Sequence, residues 1–211
     1  MKRVINLDNW NRKEHFKFFS ALDDLFWGIT TTVDFTSIYQ QSKNMEVSFF
    51  LYSVHFLLKC INATTAFKLR IENGEVVEYD KINISPTIER EDGTFGFGFF
   101  EYDTDLSLFI ENAEKEIHRV KNSTGLSFSK DTARADVIRY SALPWFAFSE
   151  MKHAGSIQTG DSIPKISTGK LIQEKKKLLL PISISVHHGL VDGRNVAEFI
   201  QNVKDGQNNT L

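Results

Sequence analysis

One cysteine, Cys60, is all the thiol chemistry that the 211 residues offer. A lone thiol closes no internal disulfide and builds no thiolate metal cluster, which fits a reducing cytoplasm. It follows Ser53-Val54-His55-Phe56-Leu57-Leu58-Lys59, an apolar helical run, and reads as a small buried hydrophobe. Neither sign of charge is in surplus. The 25 Lys+Arg against 27 Asp+Glu leave a formal charge of −2, which argues against nucleic acid or an anionic membrane as the main partner. Long apolar runs are also missing. Met1 to Asp8 lacks the apolar stretch of a signal peptide. The most apolar run, Phe49 to Ile61, is broken by Tyr52, Ser53, His55 and Lys59 and falls short of the ~20 residues a bilayer span needs. The expectation is a cytoplasmic protein without membrane contact. No linker, low-complexity block or internal repeat is present, and the lack of a hexapeptide period excludes a left-handed β-helix. The length suits a single domain, taken as residues 1–205, with a polar tail at 206–211.

What is abundant is phenylalanine, 18 residues against 5 Tyr and 3 Trp. That exceeds the usual need of a core this size and leaves rings to line a pocket. Asp8 and Asn9 are N-cap types before a helix from Trp10 to about Leu22. Gly28–Phe35 is β-branched and roughly alternating, which predicts a strand, and a long helix follows at about 47–62. Strand-like runs come next at Phe67–Glu72, Glu75–Tyr79, Pro86–Glu91 and Thr94–Glu101, the first two joined by the hairpin signal Asn73-Gly74. Leu106–Val120 carries a helical apolar stripe, and 121–135 reads as a loop. Strands are expected again at Val137–Leu143, Trp145–Ser149, Ile163–Thr168, Lys170–Gln173 and Lys177–Val186, before a last helix at about Arg194–Lys204. Helices and mostly antiparallel strands without a βαβ rhythm predict an α+β fold, a two-layer sandwich of a mixed, largely antiparallel sheet packed with helices.

The stretch that bears chemistry runs from Leu180 to Val196. Strand alternation puts Leu180, Ile182, Ile184, Val186 and His188 on one face, with Ser183, Ser185 and His187 on the other. On this reading His188 continues the apolar row, where an imidazole stays neutral near pH 7 and suits a general base. The same residues have plainer readings: a histidine satisfied at the edge of the core, and Asp192 as a helix N-cap. Metal ligation is not expected, since His187 and His188 point to opposite sides and no third ligand is evident.

His187-His188-Gly189-Leu190-Val191-Asp192-Gly193 is similar to the His-His-x-x-x-Asp-Gly signature of coenzyme-A-dependent acyltransferases. Asn9-Trp10-Asn11-Arg12-Lys13-Glu14-His15-Phe16 resembles the Asn-Trp-x-Arg-Lys/Arg-Glu-x-Phe opening of type A chloramphenicol acetyltransferases. Ser141-Ala142-Leu143-Pro144-Trp145 matches that family's Ser-Ala-x-Pro-Trp segment, and Leu178–Ser183 resembles the strand entering the signature. The motifs keep near-constant spacing from about residue 6 to 203.

The resemblance implies direct acetyl transfer from acetyl-CoA to a hydroxyl, with no acyl-enzyme. His188 would be the base, Ser141 the oxyanion donor, and an Asp192–Arg12 pair would hold the signature loop. Acceptor-lining positions fall on Phe19, Trp27, Phe95, Phe128, Met151, His153 and Ser167. Trp10 and Trp145 would line the CoA channel and Lys170 would meet its phosphates. Core packing competes for the rings, a strand-edge hydroxyl for Ser141 and a solvated side chain for Lys170. A homotrimer with active sites between subunits is also implied. Departures bear on the substrate. Phe19 replaces a tyrosine, Trp27 a phenylalanine and His153 an apolar residue. Arg194-Asn195 replaces an aromatic-histidine pair, Arg90 lies near a family histidine, and Ser48 stands where a phosphate-binding lysine is expected. Two alternatives remain at this point: a dihydrolipoamide-acyltransferase-like enzyme with a different acceptor, and a non-catalytic small-molecule binder.

Overall fold

A computed structural model describes residues 1–155 and 160–208. In chain order the elements are β1 (Lys2–Val4), α1 (Lys13–Phe19), β2 (Phe26–Asp34), α2 (Thr36–Asn44), α3 (Phe49–Ala63), β3 (Leu69–Glu72), β4 (Glu75–Tyr79), β5 (Asn83–Glu89), β6 (Phe95–Phe97), α4 (Leu106–Lys121), β7 (Val137–Leu143), β8 (Lys165–Gly169), β9 (Ile172–Glu174), β10 (Lys177–His187) and α5 (Gly193–Asn208). A small sheet has the order β1-β4-β3, and the main sheet runs β2-β10-β8-β7-β5-β6 with β9 also on β10. Among the described strands only β5–β7 and β7–β8 pair in parallel. The fold is α+β with a mixed, largely antiparallel sheet. One crossover stands out: the chain leaves β5, passes through β6 and α4, and returns as β7 alongside β5, as a parallel pair requires.

α3 is the hub of the helical layer, packing on α2, α4 and α5. It is apolar nearly all round, with Leu51, Val54, Leu57, Leu58 and Ile61 almost fully buried. β10 supplies the facing row, in which Leu180, Ile182, Ile184 and Val186 are buried as alternation requires. Its one proline sits where the ladder breaks. Register with β9 ends at Leu179, register with β8 begins at Ile182, and Pro181 between them has no N–H to give. Asn73 (φ 51°) and Gly74 (φ 81°) both take left-handed backbone in the β3–β4 turn, as an Asn-Gly hairpin demands.

Several elements differ from expectation for local reasons. Asp8 and Asn9 fall in a short 3-10 turn (Leu7–Asn9), so α1 starts at Lys13 and stops at Phe19 rather than Leu22. α2 had no sequence forecast. Its apolar stripe is thin, with only Ile38 and Ser42 buried, but Asp34 Oδ1 accepts from the Thr36 amide and hydroxyl where the helix begins. Phe67 and Lys68 belong to a 3-10 turn. The run expected at Thr94–Glu101 is ordered as a strand only over Phe95–Phe97. No strand forms at Trp145–Ser149, where the Phe146 carbonyl takes a single bond from Lys170 N at 2.9 Å. The 121–135 segment holds no helix or strand beyond the end of α4. α5 continues through Asn208, so residues 206–208 are helix rather than tail, and 209–211 lie outside the described residues. Among the described residues no helix is long and apolar enough to cross a membrane.

Candidate active site

β10 ends at His187, and a tight turn delivers the chain to α5. The amides of Leu190 and Val191 both donate to the His187 carbonyl at 3.0 Å. Asp192 closes the turn: its Oδ1 accepts the amides of Arg194 (2.9 Å) and Asn195 (3.2 Å), and its Oδ2 takes Nη1 of Arg12. Asn195 Oδ1 accepts the Asp192 amide in return at 3.1 Å, so the helix start is capped from both sides. Burial opposes ionisation of Asp192, but Arg12 and the two amides outweigh it and hold the carboxyl below its usual range. Gly189 sits in a tight spot, where a Cβ would lie 3.0 Å from Ser20 Oγ and 3.1 Å from His187 Cε1.

His188 is fixed by its backbone and by its ring. Its amide donates to the Leu25 carbonyl at 2.8 Å. The imidazole stacks on Phe19 with centroids 3.7 Å apart and planes 15° from parallel, and Trp27 lies 5.4 Å away. Nδ1 is buried without a protein partner. His187 is 1% exposed, beside the edge of Phe26, and burial pushes its pKa down to about 4. The reason is that the serine face of β10 is itself covered, so alternation did not separate a dry face from a wet one. His188 instead leaves the strand end onto an aromatic platform.

A row of hydroxyls crosses the sheet. Ser141 on β7 is in register with Ser167 on β8, which faces Ser183 on β10, which faces Thr30 on β2. Thr87 Oγ1 donates to Ser141 Oγ (3.2 Å), Thr30 Oγ1 to Ser183 Oγ (3.1 Å), and His153 Nε2 meets Ser167 Oγ (2.9 Å). The register fixes the separation of the two reactive candidates. Ser141 is two strands from β10, and His188 is five residues beyond Ser183, which at strand spacings is roughly 19 Å. His188 and Ser141 of one chain cannot touch the same reacting carbonyl.

The remaining candidates divide the same way. Trp27, Met151 and His153 line a cavity of about 520 Å³ that also exposes Lys165. Phe95, Ser141 and Trp145 line a second of about 630 Å³, with Phe50 and Tyr140. Phe128 stands outside both, 70% exposed and stacked on Phe97 at 5.4 Å. Ser167 is fully buried beneath His153. Trp10 packs on Phe16 with centroids 6.0 Å apart, and Trp145 and Lys170 are exposed. Three departures from the resemblance have structural reasons. Ser48 caps α3 through Leu51 N, and Asn195 caps α5. Arg90 is buried and ties β5 to the loop after α4 through Val120 O, Ser123 Oγ and Ser127 Oγ. Two pocket residues escaped the sequence reading, Thr87 and Lys165. Each shares a strand face with a forecast residue, Thr87 through its bond to Ser141 and Lys165 by alternation with Ser167. No group of three or more His, Cys, Asp or Glu side chains suited to a metal occurs among the described residues.

An imidazole set on an aromatic platform by a carboxylate-locked turn, on a two-layer fold whose sheet carries a row of hydroxyls, defines an acyltransferase. A family model described as chloramphenicol acetyltransferase matches residues 2–204. Chloramphenicol acetyltransferase 3 of Escherichia coli is 27% identical over 207 residues, covering 98% of this chain and 97% of that one. A chloramphenicol acetyltransferase of Clostridioides difficile is 28% identical, covering 95% and 93%. A solved chloramphenicol acetyltransferase superposes with TM-score 0.90 at 29% identity, over 98% of this chain and 100% of the other. A probable dihydrolipoamide acetyltransferase from Listeria monocytogenes shares the fold, with TM-score 0.69 at 13% identity over 98% and 94% of the two chains. The chain belongs to the chloramphenicol acetyltransferase family.

Proposed function

We propose that the chain is an acetyl-CoA-dependent O-acetyltransferase acting on chloramphenicol or a similar small aromatic alcohol, by direct transfer in a ternary complex. The observation that carries this is the His188 imidazole held against Phe19 by the Arg12–Asp192-locked turn. His188 takes the proton of the acceptor hydroxyl as its oxygen bonds to the acetyl carbonyl carbon. Ser141 donates its proton toward the oxyanion that develops. Thr87 donates to Ser141, which satisfies an acceptor lone pair and leaves the serine proton free for that task. The carbon–sulfur bond then breaks, and His188 returns its proton to the departing thiolate. The bound co-substrate supplies the activated thioester; Trp145, 57% exposed, and the ammonium of Lys170 suit its flat and anionic parts. Holding both substrates together contributes through proximity.

The separation of roughly 19 Å between His188 and Ser141 supports a site completed by a second copy, in a homotrimer of the kind the family resemblance implies. A cytoplasmic setting accords with the single buried thiol. His153 adds a polar ring to the first cavity, a change that bears on which alcohol is preferred within the same reaction type. The experiment is thiol release from acetyl-CoA, with chloramphenicol and then a panel of hydroxylated aromatics. His188→Ala should abolish release while leaving the circular dichroism spectrum intact. Turnover by the folded variant refutes the role of base.

A further inference from the structure

The 520 Å³ cavity beside His188 has a charged wall. Its residue Trp27 has its ring 5.4 Å from the His188 imidazole, and its residue Leu25 accepts the His188 amide, so the cavity adjoins the turn that carries the imidazole. Lys165 comes from β8, two residues before Ser167 on the same face. It is 5% exposed, and what remains accessible opens on the cavity. Its ammonium sits 4.3 Å over the Phe26 ring and 3.4 Å from Asp161 Oδ2. That carboxylate oxygen is shared, since Arg139 Nη1 reaches it at 3.2 Å, so one acid serves two cations. An ammonium carries three donors, and a buried one is retained at an energetic cost unless it is well partnered.

Gly155 lines the same cavity and lies close to the ammonium, where a Cβ would stand 3.1 Å from Nζ. His153, on the same wall, has its protonation disfavoured by burial and then by Lys165, so it adds a neutral hydrogen-bonding ring rather than a second charge. The acids at the cavity, Asp24 and Glu150, are both solvent-exposed and screened, whereas Lys165 is not.

We propose that this cavity selects an acceptor alcohol that also bears a carboxylate, which Lys165 binds while the aromatic body lies along Trp27 and the hydroxyl points to His188. The inference rests on the acetyltransferase reading and names its substrate class. A buried ammonium–carboxylate contact is charge-assisted and directional, and gives at least roughly a tenfold preference over a neutral isostere.

Two probes of one shape test it, 4-(hydroxymethyl)benzoate and 4-(hydroxymethyl)benzamide, with thiol release and calorimetric binding measured on each. The wild-type oligomer should favour the acid about tenfold or more in kcat/KM, mainly through KM. Lys165→Met should collapse the ratio toward one, and Lys165→Arg should preserve it. An amide handled as well as the acid, or an unchanged ratio in Lys165→Met, overturns the inference while the transferase reading stands. If no alcohol, chloramphenicol included, supports thiol release, the transferase reading fails, and calorimetry decides the inference alone. Tighter binding of the acid then upholds it, and equal or absent binding refutes it. Should Lys165→Met not fold, the wild-type ratio and Lys165→Arg carry the decision.

Discussion

Replacing Asp192 by alanine removes two supports at once: the cap on the first amides of α5 and the partner of Arg12. An N-cap is worth about 1 kcal/mol. The guanidinium is 17% exposed, and its Nε and Nη2 are already buried without protein partners, so losing the Nη1 contact strips its remaining bond. A hydrogen bond between charged groups adds about 1.5–3 kcal/mol, and the total is about 2.5–4 kcal/mol. For a chain of this length each kcal/mol moves Tm by about 2–4 °C, so Asp192→Ala should melt about 5–16 °C lower. Asp192→Asn separates the two contributions. Asparagine caps as well as aspartate, so only the charge is lost and the fall should be about half as large. Thermal melts of the three proteins, with activity measured well below each transition, give the comparison. Activity should fall in both variants, because the same turn presents His188. Melting of Asp192→Ala at the wild-type temperature, or equal falls in both variants, would refute the assignment of both roles to one carboxylate.

Three further outcomes follow from the geometry. The pKa of His187 is about 4 when folded, against 6.5 for a free imidazole; below pH 6.5 the unfolded chain gains a proton that the fold refuses. Stability should therefore decline by roughly 3 kcal/mol between pH 6.5 and 4, and urea titrations should show this component vanish in His187→Gln. Ser141→Ala should lower kcat by about 10²–10³ with little change in KM for either substrate; a KM-only effect would mean that Ser141 merely lines the pocket. Gly189→Ala forces a methyl against Ser20 and His187, which should destabilise by about 1–3 kcal/mol and displace His188, so a variant with full stability and activity would show the turn to be loose.

The sequence was most informative where local chemistry leaves one choice. Asn73-Gly74 specified a turn with two positive φ angles, and the alternation of Leu180 to Val186 specified which face of β10 meets the helices. It was least informative where tertiary cover decides. Nothing local reveals that Ser183 and His187 are also buried, so the low pKa of His187 has no sequence signal. α2 has a weak sequence signal because its buried stripe is only Ile38 and Ser42, although the Asp34–Thr36 cap marks its start. Trp145–Ser149 has strand composition, but Pro144 and the lack of a partner ladder keep it irregular. The ion pair between Arg12 and Asp192, 180 residues apart, came from family resemblance, since no periodicity links such distant positions.

The central claim is that His188 of one chain and Ser141 of another serve the same acceptor, and subunit mixing tests it most directly. His188→Ala and Ser141→Ala are each prepared alone, then co-refolded in equal amounts and checked for mixed assembly. Random association in a closed ring pairs an intact His188 with an intact Ser141 at about one site in four, so thiol release should recover to about a quarter of the wild-type rate. Verified mixed oligomers with no more activity than either variant alone would contradict the account.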